Sequence, residues 1–508
     1  MIEDSLRHYP LGQPVPDSPH AVCVSIPTMR DVVGYETGDP ATMAEISTGY
    51  PRFVVHPFST LSCEWFAEAN GLRDRAVFAL NSSRGVDGMR AFLGDDDFMT
   101  DEREGVTFAH LPDSDESRAK GKLFLQHAGC GASSRRMEDL LVRVGRLADR
   151  HREELVDDDA DSSIREHLAG MFEGVGSEDV LLTASGMNAF HSLFQGIRET
   201  RRSQGRKIWV QLGWLYVDTI LIMQKFLGED EKLVVVQDVS DLESIRRLFE
   251  ERGREVAAVV TETPTNPLMQ ICDLPALGEL CDKNGVLLVA DPTSSSPRNV
   301  NVLPSCDVLV NSLTKYSGNE GDVMLGSLVF SPSSNASDLA EIRERTEPLL
   351  EPPFAGDLRR LAWQMPAYEE VVERSNANVM RLVSFLEGRP EIRKVHWAYA
   401  EEMRDHYKNV ARQDDAPGCL FSLELNVPLD SFYDALRMLK SPSFGCKFSL
   451  ACPYLYLAHY DLVSTEKGRV VLRAGGLEPD LVRVSVGTEP ADDLIDVFDE
   501  ALRRSAGG

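Results

Sequence analysis

Short apolar runs alternate with amphipathic segments along the middle of the chain. Six runs are apolar at every position, and they cover 180–182, 208–210, 234–236, 256–260, 286–290 and 308–310. Such runs are typical of strands buried on both faces of a mostly parallel sheet. Helical patterns, for example at 241–252 and 274–283, separate several of them. We therefore predict an α/β fold in which helices cover the sheet.

The two ends of the chain differ from the middle in composition and in their helix and strand patterns. Residues 1–125 are rich in proline and carry acidic stretches at 95–97 and 113–116, which predict solvated loops in an extra N-terminal domain. Residues 126–335 are the predicted large domain. From 336 to 508, helical patterns alternate with a few strand patterns and end in a helix near 491–504. This last part predicts a smaller α+β C-terminal domain.

Composition narrows the possible partners. The 508 residues include 53 Lys and Arg against 81 Asp and Glu, a net charge of −28. A chain this acidic, without a segregated basic patch, disfavours nucleic acid. Its apolar runs are far shorter than the roughly 18 residues that span a membrane, and the first residues have no signal-peptide pattern. Nine cysteines without a CxxC spacing predict a reduced, cytoplasmic protein with no metal site.

The candidate chemistry lies just after the predicted strands. Ser185-Gly186 opens a helix, where free backbone N–H groups suit a phosphate. Asn266 follows the predicted strand at 256–260, and Asp291 follows the one at 286–290. Ser312, Thr314 and Lys315 follow the strand at 308–310. In a parallel sheet, the carboxyl ends of the strands share one edge, where ligands bind. Each of these residues alone is more often a helix cap, a turn residue or a solvated side chain. Their combination at one sheet edge instead indicates a ligand-binding site.

Pyridoxal phosphate is the cofactor that needs this combination. It requires a lysine for its Schiff base, a carboxylate beside its pyridine nitrogen and an anion site for its phosphate. Lys315 and Asp291 are the candidates for the first two. Ser312 and Thr314 stand two apart on a strand-like segment, so both hydroxyls are predicted to face the phosphate. The displaced lysine amine then moves protons.

At these residues the chain resembles the Cys/Met-metabolism family of pyridoxal-phosphate enzymes, which includes cystathionine γ-synthases and the cystathionine and methionine lyases. The matching motifs are 185–187, Glu262-Thr-Pro-Thr-Asn-Pro, Ser312-Leu-Thr-Lys-Tyr with Gly321-Asp322 and Gly326, and Leu481-Val-Arg-Val-Ser-Val-Gly. The resemblance covers about 126–505. It implies the aspartate-aminotransferase-like fold (fold type I) and a homodimer or homotetramer whose sites form across a dimer.

The resemblance also implies roles for individual residues. Lys315 carries the cofactor, Asp291 faces the pyridine nitrogen, and Tyr216 stacks on the ring. The phosphate is held by Ser185, Gly186, Met187, Ser312 and Thr314. Arg150, in Ala148-Asp149-Arg150, matches the arginine of a Tyr-x-Arg motif that reaches the neighbouring subunit's phosphate, although the tyrosine is missing. The substrate α-carboxylate is bound by Arg483 and Asn266. Phe448 lies near the distal end of the substrate, and Ser449 is a further substrate-binding residue.

The N-terminal part resembles the extension of fungal-type cystathionine γ-synthases. The similar segments are 21–28, 33–36, 49–53, 126–135, 443–445, 452–454 and 457–460. Some positions depart from the family pattern: Pro292 follows the aspartate, Asn319-Glu320 replaces Gly-His, and Phe448 stands where bacterial relatives place a glutamate. The cofactor residues are thus retained, while the part of the pocket that selects the substrate is altered.

Three functions stay open at this point. The first is γ-replacement, in which cysteine displaces the acyl group of an O-acyl-homoserine. The second is γ-elimination in specialised metabolism, such as propargylglycine formation from a γ-chlorinated allylglycine, which the apolar Phe448 mildly favours. The third is a non-catalytic scaffold, against which the retained Lys315, Asp291 and Arg483 argue. In the first two, the partner is a small amino-acid substrate.

Overall fold

The computed structural model describes residues 5–49, 55–94 and 96–507. The motif at 49–53 therefore lies outside the described residues except for Gly49, and so does Asp95 of the first acidic stretch. Among the described residues, no helix is long and apolar enough to cross a membrane. Within the same ranges, no group of three or more His, Cys, Asp or Glu side chains is arranged to hold a metal ion.

The N-terminal part contains two small sheets. Its strands are β1 (Pro14–Val15), β2 (Cys23–Val24), β3 (Arg75–Leu80), β4 (Met99–Arg103) and β5 (Val106–Pro112), and its helices are α1 (Met29–Thr37), α2 (Pro40–Glu45), α3 (Pro57–Asn70), α4 (Val86–Leu93) and α5 (Asp115–Ala128). Strand β5 lies between β3 and β4 in an antiparallel sheet, while β1 pairs with β2. Loops were predicted for much of this part, so the three-stranded sheet differs from the sequence prediction. The alternation of apolar and polar residues in its strands is short and interrupted by turns.

The acidic stretch at 113–116 is not a loop throughout. Asp115 and Glu116 form the first turn of α5, and the Ser114 side chain caps that helix by accepting from the Ser117 N–H. Carboxylates at a helix N-terminus are stabilised by the helix dipole, so the prediction of a solvated loop is wrong for these two residues. The predicted domain boundary at 125 also falls inside α5.

The central part is built on one sheet, whose carboxyl edge carries the candidate residues. Two helices, α6 (Ser134–Arg143) and α7 (Ala160–Ala169), precede it. Its strands are β6 (Val180–Thr183), β7 (Ile208–Leu212), β8 (Lys232–Val236), β9 (Val256–Glu262), β10 (Leu287–Asp291), β11 (Val308–Ser312) and β12 (Gly326–Phe330). The connecting helices are α8 (Gly186–Ser203), α9 (Val217–Lys225), α10 (Leu242–Arg252) and α11 (Leu274–Asn284).

The strand order is β6-β12-β11-β10-β9-β7-β8, and every pair without β12 is parallel. The mostly parallel sheet is thus confirmed, with each predicted strand and both predicted helices. Strand β12 was missed, although its apolar run at 328–330 is as long as several of the predicted ones. It is antiparallel to its neighbours, and its first residue, Gly326, pairs with both Ser312 and Thr183. In the parallel pairing of β9 with β10, Asp291 lies opposite Glu262. The carboxyl ends of four strands therefore meet at one edge.

The C-terminal part is a second, five-stranded sheet with helices. Its strands are β13 (Ile392–His396), β14 (Leu420–Leu425), β15 (Leu439–Lys440), β16 (Leu450–Pro453) and β17 (Val482–Ser485), in the order β13-β14-β17-β16-β15. Its helices are α12 (Leu339–Thr346), α13 (Ala355–Gln364), α14 (Tyr368–Leu386), α15 (Arg404–Lys408), α16 (Leu429–Ala435), α17 (Tyr454–Ala458), α18 (Tyr460–Val463), α19 (Glu466–Ala474) and α20 (Ala491–Ala506). Arg483 lies on the central strand β17, beside Cys452 of β16.

Residues from the start of the chain pack onto this C-terminal sheet. Tyr9, Val15, Val22 and Cys23 share a hydrophobic cluster with residues of β15 and β16 and with Cys446 and Phe448. Residues after 55 instead form separate clusters around the β3-β5-β4 sheet. The N-terminal part thus consists of a segment that wraps onto the C-terminal sheet and a small α/β unit.

Candidate active site

A cavity opens at the carboxyl edge of the central sheet, below the C-terminal sheet. It encloses about 980 Å³ of space, including solvent at its open side. It is lined by residues from both sheets and from the N-terminal segment: Val22, Gly186, Met187, Phe190, Tyr216, Val217, Thr219, Glu262, Asn266, Asp291, Thr293, Ser294, Ser312, Lys315, Pro442, Ser443, Phe444, Cys452, Tyr454, Leu457, Ala458 and Arg483. Most of the predicted site residues are therefore brought together.

Lys315 lies in the turn after β11 and points its amine into this cavity. Its Nζ donates to the Ser443 hydroxyl at 2.8 Å and is 5.1 Å from the centre of the Phe444 ring. Burial lowers the pKa of Lys315 to about 8. A neutral amine is a nucleophile and a base, so this environment prepares the lysine for Schiff-base chemistry.

A second buried lysine shows why the pKa alone does not identify the site. Burial also lowers the pKa of Lys440 to about 8. However, its Nζ donates to the Pro27 carbonyl at 2.7 Å, and the residue does not line the cavity. It holds the N-terminal segment instead. The position at the sheet edge, rather than the pKa, distinguishes Lys315.

The predicted phosphate end contains two buried hydroxyls without partners. Ser312 Oγ and Thr314 Oγ1 are both inaccessible to solvent and have no hydrogen bond within the described residues. Next to them, α8 begins at Gly186, where an added Cβ would come within 2.9 Å of the Ser312 Cβ. Unsatisfied buried donors are costly, and a phosphate oxygen would satisfy them. These residues therefore fit the phosphate of pyridoxal phosphate.

Two details at this end differ from the sequence interpretation. Thr314 lies beyond the end of β11, so the strand alternation proposed for Ser312 and Thr314 is wrong. The Ser185 hydroxyl caps α8 by accepting from the Asn188 N–H at 3.0 Å and donates to the Gly129 carbonyl at 3.1 Å. Because Ser185 does not line the cavity, its structural use is as a helix cap. Met187 does line the cavity, in the first turn of the helix.

Two carboxyl groups face each other at the ends of β9 and β10. Asp291 Oδ1 accepts from the Thr293 N–H at 2.8 Å, and burial raises the pKa of Asp291 to about 6. Burial and the Asp291 charge raise the pKa of Glu262 well above its usual range. The burial of both carboxyl groups disfavours a second negative charge beside that of Asp291. A protonated pyridine nitrogen is the cation that this carboxylate fits.

Glu262 also fixes the loop that carries Tyr216. One of its carboxyl oxygens accepts from the Tyr216 N–H, at the start of α9. Tyr216 lines the cavity, so the tyrosine predicted to stack on the ring is present there. Glu262 was not among the predicted site residues, although it stands first in the motif that contains Asn266.

Arg483 forms the opposite wall. Its side chain is 3% exposed and lies between aromatic rings, 5.3 Å from the centre of Phe444 and 5.0 Å from that of Tyr454. Its Nη1 donates to Asn266 Oδ1 at 3.2 Å, and its Nη2 donates to the Ser443 carbonyl at 3.1 Å. The guanidinium therefore has an oriented, desolvated face in the cavity, which suits a carboxylate.

Besides Ser185 and Thr314, three predicted residues lie outside the cavity lining. Phe448 packs in the cluster between the N-terminal segment and β15–β16. The Ser449 hydroxyl donates to the Glu489 carboxylate at 2.8 Å and accepts from the Gly487 N–H, which makes it structural. Arg150 is on the surface and forms an ion pair with Asp139. Within this chain, none of the three reaches the cavity.

Several lining residues had no predicted role. Ser443 and Tyr454 stand in segments that were noted only for their resemblance, and Val22 stands in a third. Ser443 is the partner of Lys315, whereas Tyr454 packs on Arg483. The segments were recognisable from the sequence, but their positions in the cavity depend on contacts between distant parts of the chain.

Comparison with known proteins settles the family. A family model described as Cys/Met metabolism PLP-dependent enzyme matches residues 160–503, more than half of the chain. The chain belongs to this family. It is therefore a pyridoxal-phosphate enzyme, as predicted, and the scaffold alternative is excluded.

Relatives extend the similarity to the N-terminal part. The chain is 37% identical over 491 residues to an L-2-amino-4-chloropent-4-enoate dechlorinase/desaturase of Streptantibioticus cattleyicolor, with 96% of this chain and 97% of the relative covered. It is 27% identical over 622 aligned residues to the cystathionine gamma-synthase of Neurospora crassa, with 97% and 98% covered. The resemblance to fungal-type cystathionine γ-synthases is thus confirmed.

Solved structures show the same fold. The cystathionine gamma synthase of Xanthomonas oryzae pv. oryzae aligns with a TM-score of 0.59 at 22% identity, covering 69% of this chain and 87% of that chain. The cystathionine gamma-lyase of Lactobacillus plantarum aligns with a TM-score of 0.58 at 18% identity, covering 75% and 96%. These alignments confirm fold type I.

Proposed function

We propose that this enzyme eliminates a small substituent that carries no charge of its own, such as chlorine leaving as chloride, from Cγ of an L-amino acid. The observation that carries the proposal is the distribution of charge in the cavity. Among the described lining residues, the Asp, Glu, Lys and Arg side chains are Asp291, Glu262, Lys315 and Arg483. We assign Lys315 and Asp291 to the cofactor and Arg483 to the α-carboxylate, while Glu262 is paired with Asp291. The remaining wall is mostly apolar. It thus offers no charged partner to a succinyl carboxylate.

The residues divide the work between binding and proton transfer. Arg483 and Asn266 hold the substrate α-carboxylate, which places Cα near the Lys315 amine. When bound, pyridoxal phosphate stabilises the negative charge that develops at Cα. Lys315 takes the α-proton and then a β-proton, and chloride leaves from Cγ. Protons return to Cα and Cβ and one proton is lost from Cδ, so the net change is loss of HCl with formation of a terminal alkyne. The contact of Lys315 with Ser443 would keep the amine on that side of the substrate. Asp291 would face the ring nitrogen and favour its protonated form.

The similarity to the Streptantibioticus cattleyicolor enzyme supports a chlorinated substrate. That relative is named for L-2-amino-4-chloropent-4-enoate and is 37% identical over nearly the whole chain. Loss of HCl from this amino acid yields propargylglycine, and no second substrate is consumed. The second candidate, γ-replacement by cysteine, is supported by the cystathionine gamma-synthase of Neurospora crassa at 27% identity.

Product analysis separates the two candidates. The purified holoenzyme is incubated with L-2-amino-4-chloropent-4-enoate, O-acetyl-L-homoserine or O-succinyl-L-homoserine, each with and without L-cysteine. We expect chloride and a terminal alkyne from the first substrate, at a rate that cysteine does not change. Cystathionine from an O-acyl-homoserine, together with no chloride release, would contradict the proposal and support γ-replacement.

We further propose a homodimer or homotetramer in which Arg150 reaches the partner's phosphate. The exposure of its side chain, 61%, leaves it available at the surface. If so, Arg150→Ala and Lys315→Ala are each inactive alone, but mixing and refolding them together restores part of the activity, because some sites receive both native residues. Sedimentation of an active monomer, or no recovery in the mixture, would contradict this arrangement.

A further inference from the structure

The start of the chain supplies one wall of the active-site cavity. We define residues 20–27 as the strap; it contains β2. Among the described residues that line the cavity, Val22 is the one that precedes residue 186. Val22 is 5% exposed and packs in the cluster formed with the C-terminal sheet. An N-terminal residue therefore borders the candidate active-site cavity.

Hydrogen bonds hold the strap along its length. The Val22 N–H donates to the Gly321 carbonyl at 2.8 Å, and the Ile26 N–H donates to the Lys440 carbonyl at 2.9 Å. Lys440 Nζ returns a bond to the Pro27 carbonyl at 2.7 Å. Because the strap is fixed on both sides of Cys23, Val22 is held in place. Its side chain acts as a fixed boundary of the cavity.

The same contacts bring the strap close to the two segments that carry and position the lysine amine. Gly321 lies six residues after Lys315 in the same loop, and the Val24 N–H donates to the Ser441 hydroxyl at 3.3 Å. Two residues further along, Ser443 accepts from Lys315 Nζ. The strap thus runs next to the wall that positions the amine. A substrate whose Cα and Cβ protons are moved by Lys315 must direct its side chain along this wall.

We infer that Val22 is a specificity-determining residue, which limits the size of the substituent at the substrate's Cγ. This inference rests on the proposed function, because it assigns the strap to the γ-end of the same substrate. The branched, apolar side chain fits chlorine and a vinyl carbon, whereas an acyl ester needs more room. The strap then explains why a segment so far from the cofactor residues in sequence belongs to the active site.

The test compares two substitutions of the same size in one strap. Val22→Ala enlarges the cavity, whereas the control Val24→Ala removes the same atoms from a residue that is equally buried, 5% exposed, but outside the lining. We expect Val22→Ala to raise the ratio of kcat/KM for O-acetyl-L-homoserine over L-2-amino-4-chloropent-4-enoate by about tenfold or more. Val24→Ala should leave this ratio unchanged, and Val22→Leu should lower it.

A binding measurement keeps the inference testable if the γ-elimination proposal fails. The absorbance of the bound cofactor is titrated with L-alanine, L-norvaline and L-norleucine, which differ in side-chain length and carry no leaving group. Val22→Ala should tighten the binding of L-norleucine relative to that of L-alanine, and Val22→Leu should weaken it. The role of Val22 would be overturned if both Val22 variants left these ratios of affinities unchanged while their Tm and cofactor content matched those of Val24→Ala. Absence of chloride release by the wild type would overturn only the proposed function.

Discussion

Arg483→Lys gives a sharp test of how the substrate is held. The substitution keeps the positive charge but removes the planar fork that bonds Asn266 and the Ser443 carbonyl and stacks between two rings. A lysine ammonium cannot keep these contacts and also bind a carboxylate through two parallel bonds. Losing a buried, charge-assisted contact costs about 2 kcal/mol at least. This corresponds to about a thirtyfold lower kcat/KM.

The assay is kcat/KM for two substrates that differ at Cγ, with cofactor content measured from its absorbance. Both substrates should lose the same factor, since both have the α-carboxylate, and cofactor content should not change. Arg469→Lys is the matched control, because Arg469 bonds Asp480 at 2.6 Å and lies outside the cavity lining. A normal kcat/KM in Arg483→Lys, or a loss confined to one substrate, would refute the assignment.

The remaining predictions concern the cofactor residues. Ser312→Ala and Thr314→Val should each weaken pyridoxal-phosphate binding to the apoprotein by about tenfold in a spectral titration, since each removes a bond to a charged group; unchanged affinity in both would show that the phosphate lies elsewhere. Asp291→Asn should lower kcat by at least about a hundredfold with the cofactor still bound, because no negative charge then faces the ring nitrogen; a kcat within a few-fold of wild type would contradict this. Burial lowers the pKa of Lys315 to about 8, so half of its amine is neutral near pH 8 and most of it is neutral above about pH 9. The rate of cofactor uptake by the apoprotein should therefore rise with a midpoint near pH 8 and level off above it, whereas a midpoint near the ordinary lysine pKa of about 10.4 would show that the amine is not desolvated.

The cofactor half of the site was predictable because a parallel sheet brings strand ends together. Apolar runs located the strands, and the residues after them, Asp291 and Ser312 among others, then had to meet at one edge. Lys315 followed from the same reasoning. Helix capping explains the exception, Ser185, because one side-chain pattern serves both a cap and an anion site.

The substrate half was less predictable because it depends on long-range contacts. Phe448 and Ser449 are three and four residues beyond Gly445, but the chain there turns toward the N-terminal segment and Glu489 rather than toward the cavity. Val22 reaches the cavity through a bond to Gly321, about three hundred residues away in sequence. No local periodicity encodes such a contact, so the structure was needed to find it.

The position of the cofactor-bearing lysine is the central claim, and borohydride reduction tests it directly. Reduction of the holoenzyme links the cofactor covalently to its lysine, and peptide mapping by mass spectrometry then locates the label. We predict that the label lies on Lys315, in the peptide that contains Ser312 and Thr314, and that Lys315→Ala takes up none. A label on Lys440, whose pKa burial lowers equally, or on another lysine would contradict the account.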